Sequence, residues 1–296
     1  DIIRHSRPAD VHGEAAATVG REFLLENLDL DAYYAEEKDE HKIGELPSTA
    51  ICGNDITASC FYVVGELSKN AGVYSPFCTL LSSFTLYCFR SVYSEVVMAL
   101  PLNGGIYNLL LNSSTKRTAS VAACLTILSY TATGVVSSVS AADYLKCSPM
   151  FSGIESVPTS IGILGFFAVL MLLGMQESSI VASGLFVFHL STLFILAMMS
   201  VFFLQDVGLG QLYANLEWDK QPSFSYSIFF GFSSAMLGVS GFETSANFVE
   251  EQKEGVFPKT LTNMWVSVSF INFIMPSLCI AILPLDDLIG DKSAYA

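Results

Sequence analysis

Apolar residues gather along this chain into long runs divided by short polar stretches. Seven runs stand out, at about residues 47–68, 74–100, 117–145, 158–175, 179–204, 226–249 and 259–284. A helix rising 1.5 Å per residue needs roughly 20 residues to cross about 30 Å of hydrocarbon. The runs reach or approach that length, so they predict an all-α, multi-pass transmembrane bundle of about seven spans. Between the second and third, "NGGIYNLLLNSSTKR" reads as an interfacial stretch. Between the fifth and sixth, "QDVGLGQLYANLEWDKQPSFS" reads as a polar loop whose Trp218 and Tyr213 suit a membrane surface.

Composition agrees: 52% of the residues are hydrophobic and 14% charged, against roughly a quarter charged in soluble domains. The charge of −14 is uneven, since residues 1–46 hold 12 acidic side chains against Arg4, Arg7, Arg21, Lys38 and Lys42. That segment has no sustained apolar period and is expected to be an acidic, mostly disordered cytoplasmic tail. It lacks the basic start and apolar core of a signal peptide and offers nucleic acid no basic cluster. With the N terminus inside, Lys116, Arg117, Lys253 and Lys259 also face the cytoplasm, whereas Lys69, Lys146, Lys220 and Lys292 face outward, so the basic bias supports this orientation weakly. The seven cysteines form no CxxC pair and read as small packed thiols.

Three unusual features share one depth. In the first run "ICGNDITASC" mixes polar residues into an apolar span, and Thr57 lies about 15 Å from Pro47, near the bilayer centre. In the sixth, "GVSG" (Gly238 to Gly241) weakens a helix about halfway across. A break in lipid leaves backbone groups unsatisfied, so it must line a cavity or be buried in protein. In the fifth run stands His189, the only histidine outside the tail. Interrupted helices at the start of two groups of five spans point to the binding site of a secondary transporter. Half-helix ends and freed carbonyls can hold the two charges of an amino acid.

Three stretches carry a resemblance. "SEVVMALPLNGGIYNLL", with Glu95, Pro101, Gly104, Gly105 and Tyr107, resembles the end of span 2 in the amino acid/polyamine/organocation permease superfamily. "GFETSANFVEEQKEGVFPKTL", with Gly241, Phe242, Glu243, Glu250, Glu251 and Pro258, is similar to that family's signature after its broken span 6. "GMQESS" resembles its short turn before span 5. The resemblance implies a leucine-transporter-type fold of two inverted five-helix repeats. Residues 47–284 are then the permease domain, with the first repeat at about 47–204 and the start of the second at about 226–284. Residues 285–296 would form an outer loop at a truncated end, with at least three spans to follow.

Under this reading the chain moves amino acids by alternating access and couples them to protons, with sodium or chloride as the alternative. Backbone of Ile56, Thr57, Ala58, Ser59 and Cys60 would hold the substrate carboxylate. Backbone of Leu237, Gly238, Val239, Ser240 and Gly241 would hold its amine. His189 falls where some proton-coupled members carry a lysine, and neutral and protonated imidazole interconvert near physiological pH. It also reads as a packed, hydrogen-bonded histidine. Asp55 either bonds in the interior or helps a cation site. Glu243 either gates and carries a proton or bonds to a neighbouring helix. Arg90 reads as snorkelling to the inner headgroups.

The expected partners are an amino acid or related amine, protons and the lipid bilayer, in the plasma membrane ahead of an internal one. No cofactor, metal site or enzymatic arrangement is expected, since no phosphate loop, zinc spacing or Ser/His/Asp set stands out. A non-transporting amino acid receptor on the same fold is the competing reading.

Overall fold

The computed structural model describes residues 42–173 and 175–290. The expectations for residues 1–41, for Gly174 and for residues 291–296 lie outside them. Ten helices follow in order among the described residues: α1 (Glu45–Ala71), α2 (Ser75–Ala99), α3 (Gly105–Ser113), α4 (Lys116–Cys147), α5 (Ser156–Leu173), α6 (Met175–Val207), α7 (Gly210–Leu216), α8 (Phe224–Ala235), α9 (Val256–Ile282) and α10 (Leu285–Gly290). Between α8 and α9 the chain is broken into three 3-10 turns, Met236–Val239, Phe242–Asn247 and Val249–Glu251.

Each predicted span has its helical segment. Within α4, α6 and α9 the stretches Lys116–Cys147, Ser178–Val207 and Val256–Ile282 are by themselves long and apolar enough to cross a membrane, and Ser156–Leu172 and Phe224–Val239 are shorter apolar helices. The outward faces confirm the solvent. Leu172 is 86% exposed and Phe188 73%, among dozens of exposed large apolar side chains; water would penalise such a surface and hydrocarbon does not.

The centre of the bundle is α1, which packs against α9, α6 and α8. Among the larger Ile56, Val63, Val64 and Leu67, its buried positions include the small Ser48, Ala50, Cys52, Thr57, Ser59 and Ser68. Small residues let helices approach closely, which is how spans associate without a hydrophobic driving force. A Cβ on Gly53 would lie 2.7 Å from the ring of Phe186 in α6, so that glycine is a seat for the ring. Similarly, a Cβ on Gly231 in α8 would lie 2.6 Å from Cβ of Ala71 and 2.7 Å from Sγ of Cys78.

The unit begins slightly ahead of the expected boundary at residue 47. Ile43 is 4% exposed and forms a parallel bridge with Gln252, giving and taking backbone bonds of 2.8 and 3.1 Å with Glu251 and Lys253. Two loops also depart from expectation. The polar loop after α6 contains α7, whose buried Asn215 donates to the carbonyls of Ile280 and Leu283 at 2.7 and 2.8 Å and so satisfies the free end of α9. Trp218 bonds to Asp286 at 3.3 Å. The stretch after residue 284 forms α10, with Leu285 and Leu288 each 1% exposed; two buried leucines tie it down where a free loop was expected. Arg90 is partly buried. It donates to Thr262 at 3.1 Å and lies over the rings of Tyr87 and Trp265 at 4.9 and 5.5 Å.

Candidate functional site

The sixth span breaks where the glycines predict. Its last 3-10 turn before the break ends at Val239, Ser240 is extended, and Gly241 has φ +95°. That left-handed conformation strains any residue with a Cβ. The Asp55 carboxylate of α1 also occupies the space where a Cβ on Gly241 would point, its own Cβ standing 3.4 Å from that position. Residue 241 therefore has two independent reasons to be glycine.

Asn272 of α9 satisfies the backbone freed by the break. Its Nδ2 donates to the Gly238 carbonyl at 2.7 Å, and the residue is 3% exposed. The Leu237 carbonyl accepts from the amide and hydroxyl of Ser240 at 3.4 and 3.0 Å. Thr244 donates to the Gly241 carbonyl at 2.6 Å. A break at membrane depth is thus buried in protein and tied on both sides, the condition under which it is tolerated.

The first span departs from expectation. Helix α1 runs without interruption from Glu45 to Ala71, so the backbone N–H groups of residues 56–60 lie inside a regular helix. "ITASC" has no glycine to weaken the helix, and Thr57 and Ser59 turn their hydroxyls back onto the Gly53 and Asp55 carbonyls at 2.6 and 3.2 Å. The side chains divide among three surroundings. Ile56 packs in the core with Val239 and Phe242, and Cys60 packs with Leu193, Ile271 and Met275. Ala58 lines the cavity beside His189. Ser59 bonds to Tyr62 one turn further along α1 at 2.7 Å. In the sixth span the Leu237 side chain is 51% exposed and points away.

Asp55 stands against Gly241, and Glu243 follows two residues later in the next 3-10 turn; no hydrogen bond or ion pair reaches either carboxylate among the described residues. Glu243 lines a cavity of about 230 Å³ with Tyr93, Tyr130, Ser129 and Asn247, and Asn247 donates to the Tyr130 hydroxyl at 2.7 Å.

His189 stands elsewhere. Its ring packs edge-on to Phe61 at 5.4 Å, and its Nε2 is buried without a partner. It shares a cavity of about 580 Å³ with Asn54, Ala58 and Phe61. Those three α1 residues each precede Asp55, Ser59 and Tyr62 by one position, about 100° round the helix. The histidine and the carboxylates therefore face different sides of α1.

The two motif stretches meet at the far end of the break. Asn103 accepts from the Glu250 amide at 2.9 Å, Gly104 donates to the Asn247 carbonyl at 3.4 Å, and a Cβ on Gly105 would lie 2.7 Å from Asn247 Oδ1. Asn272, Tyr62 and Asn247 were missed in the sequence. The one available signal was depth: Asn272 lies about 15 Å from the Ile282 end of α9, near mid-membrane, in a run of apolar residues.

A bundle of apolar helices around a central α1, with a broken span packed on it and Asp55 set against the break, defines a multi-pass membrane protein with an intramembrane polar site. A family profile described as "Amino acid permease" matches residues 43–295. The chain belongs to that family, within the amino acid/polyamine/organocation superfamily. None of the curated proteins compared with the chain matches it. Family membership points to an integral-membrane transporter of amino acids.

Proposed function

We propose that this chain moves amino acids by alternating access around the break at Ser240–Gly241, driven by protons, as part of a fold of two inverted repeats. The observation that carries the reading is the Asp55 carboxylate set against Gly241. It puts an ionisable group at the point where a half-membrane helix ends, and intramembrane carboxylates mark transport paths. The substrate's amine is held by the carbonyls of residues 237–241 and by Asp55. Its carboxylate is met from the side of residues 56–60 by the Ser59 hydroxyl, since the backbone there is engaged within α1.

Asp55, set against Gly241, and Glu243, two residues beyond it, carry the coupled proton, with His189 as a third group. Residues 1–46 lie in the cytoplasm and the protein resides in the plasma membrane.

The test is uptake of a panel of labelled amino acids and amines into proteoliposomes under an imposed proton gradient. Uptake that rises with the gradient supports the reading. Uptake that follows sodium and ignores protons removes the coupling role. The unbroken α1 offers one hinge fewer than two broken spans and favours one competing reading, a receptor that binds without transporting. Saturable binding with no uptake would establish it.

A further inference from the structure

Among the described residues, a cation within the second span has no anion beside it. Arg90 of α2 donates to the Thr262 hydroxyl of α9 at 3.1 Å and lies over the rings of Tyr87 and Trp265. No described carboxylate pairs with it, so most of the five N–H donors of its guanidinium stay unspent. The carboxylates nearest in the sequence and across α9 are turned elsewhere. Glu95 is five residues further along α2, about 140° round the helix, and Glu45 is bonded to Lys259 and Asn263 at 3.6 and 2.9 Å. A planar guanidinium fork that meets no carboxylate is matched in shape and charge to the oxygens of a phosphate.

The setting is that of a lipid headgroup. Arg90 lies nine residues, about 13 Å, from the Ala99 end of α2, and Thr262 six residues, about 9 Å, from the Val256 end of α9. That is near the level at which headgroups give way to hydrocarbon, where Tyr and Trp are favoured. We propose that the seam between α2 and α9 binds an anionic phospholipid of the leaflet at the Ala99 end, with Arg90 holding its phosphate. Side chains on a helix lean toward its N-terminal end, which for α2 is Ser75. The arginine therefore lies back over Tyr87, and the headgroup is drawn in to meet it. Toward the membrane centre Phe84, Val266 and Phe270 are exposed, an apolar surface on which the acyl chains lie. A charge at this depth is costly unless paired, and the phosphodiester supplies the partner that the protein does not.

The test is native mass spectrometry of the full-length protein in detergent, with phosphatidylglycerol and phosphatidylcholine of equal chains as probes. In phosphatidylcholine the choline cation already answers the phosphate. The parent should therefore retain phosphatidylglycerol about tenfold better, the effect expected of charge-assisted hydrogen bonds. Arg90→Gln should bring the two lipids close to parity. Arg90→Lys, which keeps the charge and loses the planar fork, should keep part of the preference. Lys116→Gln, at the start of α4, should leave it unchanged. A phosphatidylglycerol with a photoreactive headgroup should label parent-protein peptides that contain Tyr87 and Val266, a readout that needs no variant to fold.

Full preference for phosphatidylglycerol in Arg90→Gln would overturn the site. An equal loss in Lys116→Gln would overturn it as well, because the effect would then be one of general surface charge. Photolabelling confined to other helices would do the same. Inorganic phosphate should not displace the bound lipid; displacement would make the ligand a soluble anion and end the lipid assignment. The break and its carboxylates take no part, so the lipid site and the transport reading stand or fall separately.

Discussion

Asp55 and Gly241 occupy one another's space: the aspartate carboxylate lies where a side chain on residue 241 would begin, and the glycine's φ of +95° turns the backbone toward it. This relationship joins the first and sixth spans at mid-membrane. A change at either residue should therefore be felt at the other.

Gly241→Ala should be the more damaging change. The left-handed backbone alone costs about 1–2 kcal/mol for a residue with a Cβ, and the methyl group must displace Asp55. Uptake should fall about tenfold or more, at about 1.4 kcal/mol per decade, with protein still reaching the membrane. Replacing Asp55 by glycine in the same protein should relieve the clash but not the strain. Thermal melting of the double variant should therefore lie above that of Gly241→Ala alone.

Asn272→Leu leaves the Gly238 carbonyl unsatisfied in the interior. The expected loss is about 1–3 kcal/mol, the cost of an orphaned buried acceptor. It should be read as a lower melting temperature in detergent. Asn272→Ser, which can still donate but is too short to reach, should not restore it.

Glu243→Gln keeps the shape of the side chain and removes its charge. If the Asp55–Glu243 pair carries the proton, parent uptake should rise as the outside pH falls from about 8 to about 5. The variant should be flat over that range. His189→Gln should weaken the pH response less, because the ring faces a different side of α1. A variant of Glu243 that keeps the full pH profile would remove the carboxylate pair from coupling.

The Lys220–Asp286 pair gives a pH dependence outside the membrane. Lys220 Nζ, 2.8 Å from Asp286 Oδ1, together with Trp218, holds that carboxyl below the usual carboxylate range. A depressed carboxylate stabilises the fold above its unfolded value of about 3.9 and loses that contribution as pH falls through its folded value. Lys220→Gln should therefore melt slightly lower than the parent at neutral pH. The two should converge as pH falls through the folded value, as melting curves across the range will show.

How much of the site was legible depended on the kind of signal. The break in span 6 was readable because glycine acts locally: "GVSG" weakens a helix whatever surrounds it. The continuity of α1 was less readable, since "ICGNDITASC" contains a glycine and several polar residues that local reasoning takes for an interruption. In the structure Gly53 seats the Phe186 ring and the hydroxyls of Thr57 and Ser59 bond back to the helix's own carbonyls. Those are tertiary and geometric facts. His189 shows the same limit, because depth along a helix follows from residue number, whereas the side it faces depends on how the helices are rotated against one another.

The sequence by itself determined that this is an all-helical membrane protein, where its spans lie and where one of them breaks, because span length, apolar runs and glycine content are properties of the chain alone. Tertiary structure decided which polar groups meet. Asp55 abuts Gly241, Asn247 reaches Tyr130, and Asn272 caps Gly238 because neighbouring helices pack against the broken span in one rotation. A repeat of 3.6 residues per turn records the face on which a side chain stands but carries no information about the neighbour it will find there.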